Sequence, residues 1–192
     1  MNEMFIFRRN ALLENLCSEW DRKWSACHED KEKLMRLVLS QQAAPFFADF
    51  CFRGKGLTKE YCLKEFGDYM NGRTFEGCDD VDGYTYGMYI CDNTEVELKT
   101  DVAQFLWCKD VAISLDKTKA ATIYVSNHSD VHIYCEEYNN INIKVFDDSK
   151  VTIEDCDENT NILVYKYSDK CEVNEGKFCF GEVKQFNKKL RL

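Results

Sequence analysis

From residue 111 the apolar and polar positions of this chain alternate in blocks of ten. Written in tens it reads VAISLDKTKA, ATIYVSNHSD, VHIYCEEYNN, INIKVFDDSK, VTIEDCDENT, NILVYKYSDK, CEVNEGKFCF. The third position holds Ile113, Ile123, Ile133, Ile143, Ile153, Leu163 and Val173, and the first holds Val111, Ala121, Val131, Ile141, Val151, Asn161 and Cys171. Polar or small residues stand between them and face the other way. The strand of each block is followed by a polar turn rich in Asp, Asn, Ser and Lys. The sixth block is blurred because Ile162 and Val164 are apolar too, so a bulge or slip is expected there.

Two architectures accommodate such blocks. In a β-solenoid two strands make a coil of twenty residues, and Ile113 stacks beside Ile133 and Ile153 while Ile123 stacks beside Ile143 on the facing sheet. In an antiparallel β-meander or sandwich, neighbouring blocks pair as hairpins and Ile113 meets Ile123. Equal turn lengths and a column of isoleucine favour stacking, where each position meets its own kind.

The first part of the chain follows a helical period. Leu12, Leu13, Leu16, Trp20 and Trp24 recur at three- and four-residue spacing. A second helix is expected from about Asp30 to Gln41, with Leu34, Leu37 and Val38 on one side. Pro45 suits a first helical turn, Thr58 suits an N-cap, and Asn71-Gly72 suits a stop. Tyr84–Ile90 is rich in strand formers, Asp92-Asn93 reads as a turn, and Val96 and Leu98 alternate with charges. The fold class is therefore α+β, with a helical region over 1–82 and a β-repeat region over 83–192.

The segment VFDDSKVTIED, residues 145–155, resembles the AYDNSKVTAYD repeats of β-solenoid proteins from phages and prophages of gut bacteria. GLTKEYCLKEFGDYMNG is similar to helical segments that precede such repeats in proteins of gut Bacteroidetes. The resemblance covers about half the chain and implies a solenoid and a phage or mobile-element setting. It brings no catalytic residues, and the period here is ten where those repeats mostly have eight.

Charge narrows the partners. The chain carries a net charge of −9. Residues 111–175 hold thirteen acids and six lysines, net −7, whereas the tail from Gly176 holds Lys177, Lys184, Lys188, Lys189 and Arg191 against Glu182, net +4. An acidic stack repels phosphates, so nucleic acid is disfavoured. No run of eighteen apolar residues is present, so no membrane-spanning helix is expected. The opening MNEMFIFRRN lacks the order of a secretory signal, which gives a cytoplasmic reading. The eleven cysteines are irregularly spaced without a C-x-x-C pair and are expected to be free thiols packing as small apolar residues.

Chemistry is sparse. Cys27 and His28 are sequence neighbours whose side chains diverge on a helix, and His128 and His132 fall in a turn and on an outward row. Asp147, Asp148, Asp155, Asp157 and Glu158 gather at turns. Calcium-binding rolls, however, need glycine-rich turns, and residues 111–175 contain no glycine. No cofactor or metal is implied, and no catalytic residue is assigned. The rings of Tyr124, Tyr134, Tyr138, Phe146, Tyr165 and Tyr167 form a possible interaction surface. The expectation is a non-catalytic structural or protein-interaction module whose partner is another protein or a second copy. A glycan-binding module and a small enzyme with a Cys or carboxylate site are the alternatives. The tail is expected to cap the last rungs, burying Phe178, Phe180 and Phe186.

Overall fold

The computed structural model describes residues 3–79, 83–116, 119–136, 138–154 and 156–189. Five helices come first: α1 (Glu3–Leu13), α2 (Ser18–Ala26), α3 (Lys31–Leu39), α4 (Ala44–Phe52) and α5 (Lys59–Phe66), the last followed by a 3₁₀ turn at Gly67–Tyr69. Twelve strands follow: β1 (Phe75–Glu76), β2 (Thr85–Tyr89), β3 (Asp92–Glu97), β4 (Val102–Leu106), β5 (Lys109–Leu115), β6 (Ala120–Ser126), β7 (Asp130–Cys135), β8 (Asn140–Val145), β9 (Lys150–Glu154), β10 (Asn161–Lys166), β11 (Glu172–Glu175) and β12 (Glu182–Asn187).

Even-numbered strands stack in one sheet, β2-β4-β6-β8-β10-β12, with β1 at its start. Odd-numbered strands stack in a facing sheet, β3-β5-β7-β9-β11. Every pairing is parallel except the antiparallel β1–β2. This is a β-solenoid of about five coils, not a meander. Ile113 pairs with Ile133 and Ile133 with Ile153, while Ile123 pairs with Ile143. All five isoleucines are fully buried between the sheets.

Corners carry a period of their own. Trp107, Asn127 and Asp147 recur at twenty-residue spacing with φ of 51°, 59° and 62°. Asn and Asp tolerate this left-handed conformation at small cost. The Asp147 carboxylate accepts the Asn127 N–H at 2.8 Å, tying one corner to the next. The Cys108 N–H donates to Ser129 Oγ, and the Ser129 N–H donates to Ser149 Oγ, which satisfies buried backbone groups along the stack.

The period is not uniform. In the first coil Tyr86 pairs with Val102 and Thr94 with Val111, sixteen and seventeen residues apart. The segment Tyr84–Leu98, read from sequence as lying ahead of the repeat, is thus its first coil. Asp92-Asn93 belongs to strand β3 rather than a turn, with Asn93 in the left-handed conformation at φ 50° and the register unbroken on either side of it. Late in the stack Ile141 pairs with Ile162, twenty-one residues on, and Val151 with Val173, twenty-two on. The expected slip is therefore real. It turns Ile162 and Val164 inward and leaves Leu163 half-buried outside, so neither Leu163 nor Val173 continues the isoleucine column.

The helices cover the outer face of the even-numbered sheet. Along β4 the outward Val102, Gln104 and Leu106 are as buried as the inward Ala103 and Phe105. Gln104 Nε2 donates to the Val38 carbonyl at 2.8 Å, and Asn127 Nδ2 donates to the Ala48 carbonyl at 3.1 Å. Asp30 caps α3 by accepting from the Glu32 and Lys33 N–H groups, and Thr58 caps α5 by accepting from that of Tyr61. The stripe from Leu12 to Trp24 falls on two helices, not one. The break at residues 14–17 leaves Leu12 and Leu13 exposed, and α1 buries Phe7 and Ala11 instead.

The tail is not a cap. Residues 182–187 form β12, a further parallel rung with Val183 packed toward the core. Phe178, Phe180 and Phe186 are 64%, 72% and 42% exposed. Alternation explains Phe186: three residues from the inward Val183, it projects outward, where its ring stacks on Tyr165 at 5.4 Å. Leu190, Arg191 and Leu192 lie outside the described residues.

Candidate functional site: an apolar pocket in the helical layer

The helices do not fill the space above the sheet. A cavity of about 350 Å³ runs through their layer. Its floor is Met88, fully buried on β2. Met35, Cys62, Phe66 and Met70, all at most 5% exposed, surround the inner end. Its mouth lies among Leu16, Cys17, Trp20 and Phe46, of which Cys17 and Phe46 are exposed. The break between α1 and α2 falls at that mouth, with Asn15 in the left-handed conformation at φ 65° and the Leu16 N–H donating to the Ala11 carbonyl at 2.9 Å.

The lining is almost wholly apolar. Phe7 anchors one wall, with its ring 4.8 Å from that of Trp24 and 5.8 Å from that of Phe47. Four of the five methionines in the chain, Met4, Met35, Met70 and Met88, touch the space. Methionine side chains adapt readily to irregular occupants. Among the described residues the single charged one in the lining is Glu14, at the mouth. Its carboxylate accepts from Arg53 Nη1 at 2.7 Å and from Lys55 Nζ, and these hydrogen bonds, that of Lys55 foremost, hold its pKa below the usual carboxylate value. Inside, burial pushes the Cys62 thiol up to about 12, so it stays protonated and acts as one more small apolar wall.

The residues singled out from the sequence lie elsewhere. Tyr124 and Phe146 are 2% exposed beneath the helices, and Tyr167 stacks on Phe146 at 4.6 Å in the same row. The first two therefore cannot present rings to a partner. Tyr165 is half-buried on the same face further along, Tyr134 stands on the outer face of the other sheet, and Tyr138 is exposed at a turn. Six aromatics thus occupy three places and form no common surface. Even-numbered outward positions near the helices are packing positions.

The titratable groups are equally dispersed. Cys27 is buried with its thiol toward the Lys23 carbonyl, whereas His28 is exposed. His128 Nδ1 lies 2.7 Å from Asp148 and its ring 5.1 Å from Phe52. His132 lies on the outer face of the odd-numbered sheet, 2.9 Å from Glu154. Asp157 accepts from the Asn159 N–H in its own turn, and Glu158 is exposed. Asp155 lies outside the described residues. Among those described, no three His, Cys, Asp or Glu side chains converge as metal ligands. All eleven cysteines are free thiols, and Cys17 is the one that is exposed. No helix among the described residues is long and apolar enough to cross a membrane.

No protein-family model matches the chain, and searches of curated proteins and of solved structures give no match either. The pocket must therefore be read on its own chemistry. Sequence periodicity had marked Leu16, Trp20 and Trp24 as one apolar stripe; a stripe says which residues face inward but not that the space behind them is left open.

Proposed function

We propose that the chain is a non-catalytic binding module, in which the β-stack is a stiff frame and the helical layer holds the recognition pocket. The pocket carries this reading. Ligand sites are typically concave, a few hundred Å³ in volume and lined mainly by apolar and aromatic side chains, and the 350 Å³ cavity has each of these properties. An apolar cavity of about 150 Å³ already takes a benzene ring. The frame supports the role because Met88 pairs with Gln104 on β4 and its carbonyl accepts the Asn71 N–H at 2.9 Å, so the floor is fixed while the methionines around it adjust.

A small apolar probe tests this. Naphthalene should raise the melting temperature, since whatever binds only the folded state stabilises it. Leu16→Trp and Ala43→Phe, which fill the mouth from half-buried positions, should abolish the increase. An equal rise in the parent protein and in both variants would place the binding elsewhere and contradict the proposal.

A second reading, docking of another protein or a second copy on the helical layer, draws support from Phe5 and Leu13 on α1, which are 65% and 74% exposed. It predicts a concentration-dependent sedimentation coefficient that Leu13→Glu removes. The phage or mobile-element setting rests on the sequence resemblance alone, and neighbouring capsid or tail genes would support it.

A further inference from the structure

We infer that the occupant of the helical pocket is a single alkyl chain bearing an uncharged head group, held tail-first. This rests on the binding reading above and names the ligand class for that same site.

Depth argues for a chain. The lining runs from exposed Phe46 at the surface to Met88 on the sheet, across the whole helical layer. A helix with its side chains is about 10–12 Å thick, deeper than one side chain of a docked protein reaches from outside. The inner walls are hydrocarbon, aromatic or thioether, with a protonated thiol at Cys62, and the residues there offer no charged group to orient a polar one. A flexible hydrocarbon fits such a space better than a rigid polar ring system, and the methionines let the fit vary with chain length.

Charge at the mouth argues for a neutral head. Around the opening Arg53 and Lys55 both already hold the Glu14 carboxylate, Arg53 Nε also donates to Asp49 at 2.6 Å, and Lys23, whose Nζ lies 4.8 Å from the Trp20 ring centroid, pairs with Glu19 at 3.3 Å. These three cations are matched by three acids, Glu14, Asp49 and Glu19. An incoming carboxylate would find its counter-ions taken and would face Glu14, whereas a hydroxyl or ester head can remain in water beside the rim.

The experiment compares dodecanol with dodecanoate, using Trp fluorescence and calorimetry on the full chain at neutral pH, with naphthalene as reference. Trp20 and Trp24 line the pocket and report occupancy. Dodecanol should bind at one per chain and about tenfold or more tighter than dodecanoate. Glu14→Gln, which frees Arg53 and Lys55 from a charged partner, should narrow that gap by improving dodecanoate. Leu16→Trp and Ala43→Phe should weaken dodecanol, and either variant suffices if the other does not fold. If naphthalene binds but dodecanol does not, the alkyl-chain inference falls while the pocket reading stands. If dodecanoate binds as well as dodecanol in the parent protein, the neutral-head inference falls. If none of the three binds, both readings fall.

Discussion

Ile143 pairs with Val164, twenty-one residues further on, whereas on its other side it pairs with Ile123, twenty residues back. One extra residue in the turn after β9 thus flips the sixth block of the repeat, exchanging Leu163 for Ile162 and Val164 at the core. Because side chains alternate, a one-residue slip reverses every position in a strand.

That exchange separates two substitutions of the same chemistry. Ile143→Ala leaves a void at a fully buried position in a layered core and should cost about 2–5 kcal/mol. Leu163→Ala removes a half-buried side chain from the outer face and should cost less than about 1.5 kcal/mol. Urea denaturation of the two variants checks the register. Equal losses would mean that Leu163, and not its neighbours, faces the core.

The legible part of the fold is the part set by local alternation. The isoleucine column announced the stack, its twenty-residue coil and its two sheets, and the N-cap at Thr58 announced a helix start. What escaped depended on packing between distant segments. β4 reads VAQFL, apolar on both faces, yet only the helices above it explain why Val102 and Leu106 need to be apolar. Tyr124 and Phe146 looked like surface because outward positions of a bare stack would be surface. The tail's phenylalanines looked like a cap, but β12 simply adds a rung and its alternation directs Phe186 outward. The pocket left no sequence signal, since a space between helices is set by how α1 and α2 break at residues 14–17.

Asp147 makes stability depend on pH. Burial, with Asp49 and Asp148 nearby, raises its pKa to about 6, against the opposing hydrogen bond from the Asn127 N–H and the proximity of His128. The folded state thus holds this proton more tightly than the unfolded chain. Its penalty is absent below about pH 4, grows as pH rises toward 6 and is complete above it. Asp147→Asn keeps an acceptor for Asn127 and a residue type that tolerates the left-handed backbone. It should stabilise the fold by about 1 kcal/mol above pH 7, a figure discounted for partial exposure, and flatten the profile between about pH 4 and 6. Melting curves across that range provide the check; an Asn variant less stable at pH 7.5 would mean the carboxylate is favourable there.

Thiol chemistry should distinguish two cysteines from nine. Cys17 is exposed at the pocket mouth and the hydrogen bond from the Cys108 thiol lowers the pKa of half-buried Cys91, while burial pushes the Cys78 thiol up to about 12 and raises those of Cys27 and Cys171. N-ethylmaleimide should therefore modify Cys17 and Cys91 first, giving at most two fast adducts per native molecule by mass spectrometry, and bound dodecanol should slow the step at Cys17 alone. Reductant should leave the melting temperature unchanged, because the fold contains no disulfide. More than two fast adducts, or a large drop in melting temperature with reductant, would contradict the thiol assignment.

The most direct measurement uses the methionines. Four of the five line the pocket and Met1 lies outside the described residues, so a chain carrying ¹³C-methyl methionine reports mainly on the site. On titration with naphthalene the methyl signals of Met35, Met70 and Met88, assigned by single Met→Leu variants, should shift and saturate together at one equivalent. Pocket signals that stay fixed, or drift without saturating while the melting temperature rises, would contradict a binding module that works through the helical layer.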